Sequence, residues 1–227
     1  MLNEKELTVE KINENIDKHI VDITKEFRDG FAFIEKYPKS ITFFGSSRLT
    51  ESSSHYNDAK RLAHKIVTDT GYAIITGGGP GIMEAANSGA IDAHGKSIGL
   101  NINIQSEQHT NKYANDSILF DYFFVRKTML NFAAEAYIFF PGGFGTLDEL
   151  FGVLTLIQTK KIPSVPVILF GKDFWNPLKN FLEETVLNQH HTIDNRCMEL
   201  FVITDSTDNV LKIIKEAPVS QWWKFVD

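Results

Sequence analysis

Apolar residues near the start of the chain recur every three or four positions, which is the spacing of one face of an α-helix. The positions on this face are Ile12, Ile16, Ile20, Ile23, Phe27, Phe31 and Ile34. Pro38 predicts the end of the helix, because proline cannot continue its hydrogen-bond pattern. We favour packing of this face against the rest of the molecule, since most helical stripes are core. Packing against a partner subunit is the alternative interpretation.

After Pro38, short apolar runs alternate with amphipathic segments. The predicted strands are residues 41–44, 72–76, 97–102, 136–140, 165–170 and 200–204. The predicted helices lie near residues 56–67, 85–90, 126–135, 150–157, 177–187 and 209–215. Residues 103–116 are polar and predict a surface loop, and the apolar run 118–125 leads into the following helix. Buried strands that alternate with helices predict a Rossmann-like α/β fold, a doubly wound parallel sheet with helices on both faces.

The same pattern predicts how the chain is divided. Residues 1–38 form an N-terminal helical extension, residues 39–217 a Rossmann-like nucleotide-binding domain, and residues 218–227 a C-terminal tail. The tail contains Trp222 and Trp223, whose packing the sequence does not define.

Composition narrows the function classes. The net charge of -6 argues against a general binder of nucleic acid or of anionic membranes, both of which need a basic surface. The single cysteine, Cys197, allows neither an intramolecular disulfide nor a cysteine-based zinc site, and the histidines show no metal-ligand spacing. No apolar run is long enough to span a membrane, and the polar, acidic start is unlike a signal peptide. We therefore expect a cytoplasmic protein without a metal or a cofactor.

Three glycine-containing turns follow predicted strands, at residues 45–48 (GSSR), 77–81 (GGGPG) and 141–146 (PGGFGT). In a doubly wound sheet, ligands bind at the carboxyl ends of the strands, where such turns lie. In the third turn, the glycines let backbone N–H groups approach a ligand closely, and the helix beginning near Thr146 adds unpaired N–H donors. This turn predicts a phosphate-sized anion site.

Glu149 has two interpretations. Thr146 and Glu149 match the spacing of a capping box, in which each side chain bonds the backbone of the other, and spacing alone favours this role. Alternatively, the Glu149 carboxylate stabilises an oxocarbenium-like sugar or orients water, as carboxylates do in glycoside hydrolysis.

Other polar positions also have a structural and a functional interpretation. Residues 77–81 are either a strand-to-helix turn or a second backbone cradle, which three consecutive glycines favour. Glu84 is either an acid that is favourable in a first helical turn or a ligand contact. Arg126, Lys127 and Arg48 are either solvated or paired cations, or groups that bind a phosphate or assist a leaving base.

Four segments together resemble the LOG (Lonely guy) family. Residues 141–149, PGGFGTLDE, match the PGGxGTxxE signature of that family. Residues 44–48 (FGSSR), 77–87 (GGGPGIMEAAN) and 123–127 (FFVRK) are similar to its other motifs, in the same order. The resemblance covers roughly residues 27–215, which is nearly the whole chain.

The resemblance implies a function and a set of site residues. LOG proteins are cytokinin riboside 5′-monophosphate phosphoribohydrolases, many of them labelled possible lysine decarboxylases. The resemblance therefore implies that this chain forms a homodimer that hydrolyses AMP, or an N6-modified AMP, to the free base and ribose 5-phosphate. Arg126 and Glu149 would then be the catalytic pair. The residues that would bind substrate are Ser46, Arg48, Gly78, Gly79, Glu84, Lys127, Gly142, Gly143, Gly145 and Thr146.

The chain departs from the plant-like branch of the family at two places. It has FVRK at residues 124–127 where that branch has HxRK, and GIME at residues 81–84 where that branch has GLMG. With its N-terminal helix, the chain is more similar to the bacterial AMP-hydrolysing group.

Three rival functions remain. A nucleotide or molybdopterin-cofactor carrier on the same fold would use the glycine turns without a catalytic pair. A lysine decarboxylase would need a lysine that forms a Schiff base with pyridoxal phosphate, and no lysine has a distinctive context. An NAD-linked oxidoreductase is disfavoured because residues 77–81 lack GxGxxG spacing and follow the second strand.

Overall fold

The computed structural model describes residues 9–103 and 111–220. Its strands are β1 (Ser40–Phe44), β2 (Ala73–Thr76), β3 (Ser97–Ile102), β4 (Asp116–Phe120), β5 (Ala136–Phe139), β6 (Val167–Phe170) and β7 (Val202–Thr204). Its α-helices are α1 (Val9–Ile34), α2 (Ser54–Thr70), α3 (Ile82–Asp92), α4 (Phe123–Phe132), α5 (Phe144–Gln158), α6 (Lys172–Phe181) and α7 (Thr207–Glu216). A π-helix, Leu182–Gln189, continues α6, and a short 3-10 helix spans Asn195–Glu199.

The seven strands form one parallel sheet in the order β4-β3-β2-β1-β5-β6-β7. Ile41 of β1 is aligned with Ile74 of β2 on one side and with Ala136 of β5 on the other. The chain therefore winds outward from β1 to β4, returns to the middle, and winds outward in the opposite direction from β5 to β7. The predicted doubly wound Rossmann-like fold is confirmed, and its switch point lies between β1 and β5.

Helices cover both faces of the sheet because its strands are apolar on both sides. One core contains Met129 of α4 and Leu150 of α5, together with Ile34 at the end of α1. The opposite core contains Leu62 of α2 and Leu211 of α7, together with most of the small residues of α3. These two layers hold the carboxyl ends of β1 and β5 rigidly beside each other.

The helix predicted from residues 12–34 forms, but only part of its apolar face is covered. Ile23, Phe27, Phe31 and Ile34 pack against the core that lies under α4 and β4, as the favoured interpretation predicts. Toward the N-terminus of α1 the same face is exposed, and Ile20 is 55% exposed. The packing prediction is thus confirmed for the second half of α1 and wrong for the first half.

Some predicted boundaries are wrong. The apolar run 118–125 divides into β4 and the first turn of α4, so α4 begins at Phe123 and not near Arg126. The predicted surface loop 103–116 ends in β4, and Asn111 within it is buried. Trp222 and Trp223 lie outside the described residues, as do residues 104–110.

Two kinds of feature are absent from the described part of the chain. No helix in it combines the length and the apolar character that crossing a lipid bilayer requires. It also contains no group of three or more His, Cys, Asp or Glu side chains placed to hold a metal ion.

Candidate functional site

A cleft of about 570 Å³ opens at the switch point of the sheet. It is bounded by the turn after β1, by Gly77 after β2, by α4 and by the start of α5. The residues that line it are Phe43, Phe44, Gly45, Ser46, Ser47, Arg48, Gly77, Met83, Ile102, Phe123, Arg126, Leu130, Gly143, Phe144, Gly145, Thr146 and Glu149. The fold thus brings residues of all four sequence motifs together at the place where doubly wound proteins bind ligands.

The N-terminus of α5 has the local structure that the predicted anion site requires. The helix begins at Phe144 with Gly143 as its N-cap, and no side chain caps it. The amides of its first turn therefore have no intrahelical partners, and they carry the positive end of the helix dipole. A Cβ on Gly143 or Gly145 would meet no atom within 4 Å, so both glycines face open space. A phosphate can approach the backbone closely here.

Glu149 is not part of a capping box. Because α5 begins at Phe144, Thr146 already lies within its first turn and Glu149 lies one turn further on. The capping interpretation, which spacing alone favours, is wrong. The sequence placed the helix start two residues too late, because Gly143 occupies the N-cap position without offering a side chain.

The Glu149 side chain is buried and lacks a hydrogen-bond partner for one oxygen. The residue is only 6% exposed, and its Oε2 finds no partner among the described residues. Burial raises the pKa of Glu149 to about 7, although the cations Lys127 and Arg126 act in the opposite direction. A buried polar atom without a partner costs free energy, and it is common where a site awaits a ligand.

Arg126 is the second buried charge in the cleft, and the backbone fixes its position. Its Nε donates to the carbonyl of Leu100 over 2.7 Å, and its Nη2 to the carbonyl of Gly77 over 3.4 Å. Burial lowers the pKa of Arg126, while Glu149 raises it. With two donor groups directed at carbonyls, the guanidinium cannot turn freely to hold a phosphate with both of its edges. It presents its remaining N–H groups to the cleft in one orientation.

Lys127 faces away from the cleft. Its Nζ lies 2.6 Å from Oδ2 of Asp148 and also donates to the Asp148 carbonyl over 3.2 Å. Of the two interpretations of Lys127, the structure therefore favours a lysine paired with an acidic residue over a lysine that contacts the substrate. Its charge still acts on Glu149, because Lys127 is the largest influence that lowers the pKa of Glu149.

The turn after β1 forms the opposite rim of the cleft. The Ser46 amide donates to the carbonyl of Pro141, which joins this turn to the start of α5. Ser46 Oγ accepts a hydrogen bond from the Arg48 amide over 3.1 Å. The Arg48 side chain is exposed and takes part in no ion pair that the described residues form. Both residues line the cleft, where the motif resemblance places them.

The remaining predicted site residues lie outside the cleft lining. Gly142 packs under Thr146, where a Cβ would overlap the threonine side chain, and it lines a neighbouring hollow. Gly78 and Gly79 are buried, and their carbonyls accept hydrogen bonds from Asn111. Glu84 lies near Tyr56, whose pKa rises to about 12 through burial and, secondarily, through the Glu84 charge.

Several apolar lining residues were not identified from the sequence. Phe144 is 92% exposed between two glycines, and Phe123 is half-exposed with its ring centroid 5.8 Å from Cζ of Arg126. Met83, Ile102 and Leu130 also line the cleft. The only sequence signal for Phe144 was its position inside the glycine turn, where a large apolar side chain has no core to enter.

The parallel sheet, with the uncapped N-terminus of α5 and the buried Arg126 and Glu149 side chains at its switch point, places this molecule in the class of doubly wound Rossmann-like α/β proteins. A family model described as "Possible lysine decarboxylase" matches residues 83–214, which is more than half of the chain. The chain belongs to this family, the LOG family that the motifs indicate.

Named relatives are similar over most of the chain. The chain is 25% identical over 183 residues to an Arabidopsis thaliana protein named cytokinin riboside 5′-monophosphate phosphoribohydrolase LOG2, covering 80% of this chain and 84% of that one. It is 26% identical over 199 residues to the pyrimidine/purine nucleotide 5′-monophosphate nucleosidase of Escherichia coli K12. That match covers 80% of this chain but only 41% of the relative.

Solved structures share the fold. A structural-genomics target designated TM1055 aligns with a TM-score of 0.59 at 22% identity, covering 78% of this chain and 99% of that one. The molybdenum cofactor binding protein of Rippkaea orientalis aligns with a TM-score of 0.56 at 24% identity, covering 78% and 93%. At these identities the likeness shows the fold alone.

Proposed function

We propose that this protein is a nucleoside 5′-monophosphate phosphoribohydrolase, which hydrolyses the N-glycosidic bond of AMP or an N6-modified AMP. The observation that carries the proposal is the Glu149 carboxyl group, buried in the cleft with an unpartnered oxygen beside a fixed arginine. The relatives named as phosphoribohydrolase and nucleosidase support the same class of reaction.

In the proposed reaction, α5 supplies both the phosphate site and the Glu149 carboxylate, and α4 supplies Arg126. The 5′-phosphate binds at the unpaired amides that begin α5, which fixes the ribose relative to Glu149. As the bond from C1′ to the base nitrogen breaks, the ionised Glu149 stabilises the positive sugar and orients the water that adds to C1′. Arg126 interacts with the leaving base. The added water supplies both the hydroxyl group that C1′ gains and the proton that the base nitrogen gains. The products are the free base and ribose 5-phosphate.

Substrate comparison tests this function. Purified protein incubated with AMP is expected to release adenine and ribose 5-phosphate, which chromatography detects. Adenosine is expected to react far more slowly, because it cannot use the anion site and so loses binding energy that orients the sugar. Equal rates for AMP and adenosine would refute the role of the α5 N-terminus. No release from a panel of nucleoside monophosphates would refute the enzyme.

The pH dependence of the reaction follows from Glu149. Because its pKa is about 7 and the ionised form is the active one, kcat/KM is expected to rise with pH through about 7. Replacing Lys127 by methionine removes a charge that lowers this pKa, so the rising limb is expected to move to higher pH. Measurements of kcat/KM between pH 5 and 9 check both expectations, because this range covers the titration of a carboxyl group with a raised pKa.

A comparison of variants distinguishes titration of the enzyme from titration of the substrate in that experiment. The phosphate of AMP also titrates near pH 6, but its pKa is the same with either enzyme. Lys161→Met removes an exposed lysine beyond the end of α5 and is expected to leave the limb in place. If kcat/KM instead fell as pH rises through about 7, Glu149 would act as a general acid. If Lys127→Met left the pH profile unchanged, Lys127 would have no part in setting the pKa of Glu149.

Two rival functions fit the cleft less well. A carrier of a nucleotide or molybdopterin cofactor has support from the fold of its structural neighbours, but it needs no unpartnered buried carboxyl group. A pyridoxal-phosphate decarboxylase needs a lysine in the cleft. Lysine is not among the lining residues in the described ranges, because Lys127 is turned toward Asp148. Tight AMP binding without turnover would favour the carrier.

A further inference from the structure

Gly77 lies where β2 ends, and its backbone holds the Arg126 guanidinium. Its carbonyl accepts from Nη2, while the carbonyl of Leu100 in the neighbouring strand β3 accepts from Nε. Two adjacent parallel strands therefore present carbonyl oxygens to one guanidinium. This pair of carbonyls, of Gly77 and Leu100, is called the arginine seat below.

The absence of a side chain at Gly77 makes room for Arg126. A Cβ on Gly77 would overlap Nη2 of Arg126 and would lie 2.8 Å from Sδ of Met83. Gly78 and Gly81 have φ of 71° and 72°, a region that favours glycine, but Gly77 is not among the glycines with positive φ. The backbone conformation therefore does not require glycine at residue 77, whereas the position of the guanidinium does.

The rest of the turn is fixed from behind, so it cannot move aside. The Gly78 amide donates to Thr76 Oγ1 over 2.9 Å, and the Gly78 carbonyl accepts from the Asn111 amide over 2.9 Å. Asn111 Nδ2 also donates to the Gly79 carbonyl and to Asn87 Oδ1, which in turn accepts from Thr76 Oγ1. This buried network holds the turn rigidly.

We propose that Gly77 is a positioning residue for the nucleotide reaction, because it seats the Arg126 guanidinium against β2 and β3 in its working orientation. The proposal rests on the function proposed above. It also gives the first glycine of the 77–81 turn a role other than direct contact with phosphate. A Cβ at this position displaces the guanidinium while leaving the anion site at α5 intact.

Stability measurements test the seat without using activity. Denaturant unfolding is measured for wild type, Gly77→Ala, Arg126→Ala and the double variant. If the Cβ collides with the guanidinium, Gly77→Ala destabilises the wild type clearly but destabilises the Arg126→Ala background much less. Equal losses in both backgrounds would overturn the proposal. The proposal would also be overturned if Met83→Ala reduced the destabilisation caused by Gly77→Ala while Arg126→Ala did not. The added Cβ would then collide with the Met83 thioether and not with the guanidinium.

Activity measurements test whether the seat serves the reaction. With AMP as substrate, Gly77→Ala is expected to lower kcat on the order of a hundredfold, the scale of one preorganised electrostatic group, and to change KM little. In the Arg126→Ala background the same substitution is expected to change kcat less than about threefold, since residues that act as a unit are not additive. Full additivity would overturn the positioning role.

A control variant and the wild type keep the outcomes distinguishable. Gly71 has φ of 70° and no neighbour within 4 Å of a built Cβ, and it lies before β2 at the opposite edge of the sheet. Gly71→Ala strains the fold away from the cleft and is expected to leave kcat unchanged. If Gly71→Ala lowered kcat as much as Gly77→Ala does, the Gly77 effect would be merely structural and the proposal would be overturned. A wild type that is inactive on every nucleotide refutes the proposed function, whereas the stability cycle still decides whether the arginine seat exists.

Discussion

Replacing Glu149 by glutamine is expected to lower kcat for AMP hydrolysis by about 10² to 10³, with little change in KM. Loss of one preorganised group that acts in the transition state has this scale, about 2.7–4 kcal/mol. Glutamine keeps the shape of the side chain but cannot carry the negative charge that the positive sugar needs. Steady-state rates with AMP above pH 8, where wild-type Glu149 is ionised, measure the effect.

The same variant is expected to be more stable than the wild type at high pH. The pKa of Glu149 in the folded protein is about 7, above its ordinary value of 4.5. Between these two pH values the folded state holds a proton that the unfolded state releases, so the wild type loses stability as pH rises from about 4.5 to about 7. Glutamine does not ionise, so the melting temperature of the variant relative to wild type is expected to rise between pH 5 and pH 8. Glu216→Gln, an exposed change in α7, is the control. Retention of kcat by Glu149→Gln would disprove the catalytic role.

Replacing Arg126 by alanine is expected to lower kcat by about 10² or more, on the same scale for one preorganised charge. The change removes the cation that faces the cleft and leaves the carbonyls of Leu100 and Gly77 without their donor. It also removes a charge that lowers the pKa of Glu149, so the rising limb of the pH profile is expected to move to higher pH. Rates measured across the pH range separate these two effects.

Lysine at position 126 is expected not to restore the rate. An ammonium group cannot reproduce the planar arrangement that bonds Leu100 through Nε and Gly77 through Nη2. Arg196→Ala removes an exposed arginine that pairs with Asp194 and serves as the control. Full activity in Arg126→Lys would show that only the charge matters, and full activity in Arg126→Ala would remove this residue from the reaction.

Much of the fold was predictable because its signals are local. Short apolar runs such as residues 41–44 and 136–140 identify strands that are buried on both faces, and parallel connections then require helices between them. The exposed amides at the start of α5 were predictable for the same reason, since the glycines that leave them open lie close together in the sequence. What sequence spacing could not decide was the starting residue of α5, and with it the role of Glu149.

The environment of Arg126 was not predictable, because it depends on contacts between segments distant in sequence. Gly77 and Leu100 come from two different strands, and nothing in either segment indicates that its carbonyl faces an arginine. The assignment of Lys127 to substrate binding has the same weakness. Its partner Asp148 lies on another helix, so the pairing becomes visible only when α4 and α5 pack side by side.

The strand order also governs when the cleft forms during folding. Its rims come from residues near 46 and near 145, which meet only when β5 pairs with β1, after about 90 residues of intervening chain have closed into a loop. Parallel pairing over such a separation is slow compared with helix formation. A chain in which only the first four strands have assembled would contain the arginine seat but neither Glu149 nor the start of α5, so the whole cleft appears only when β5 joins β1.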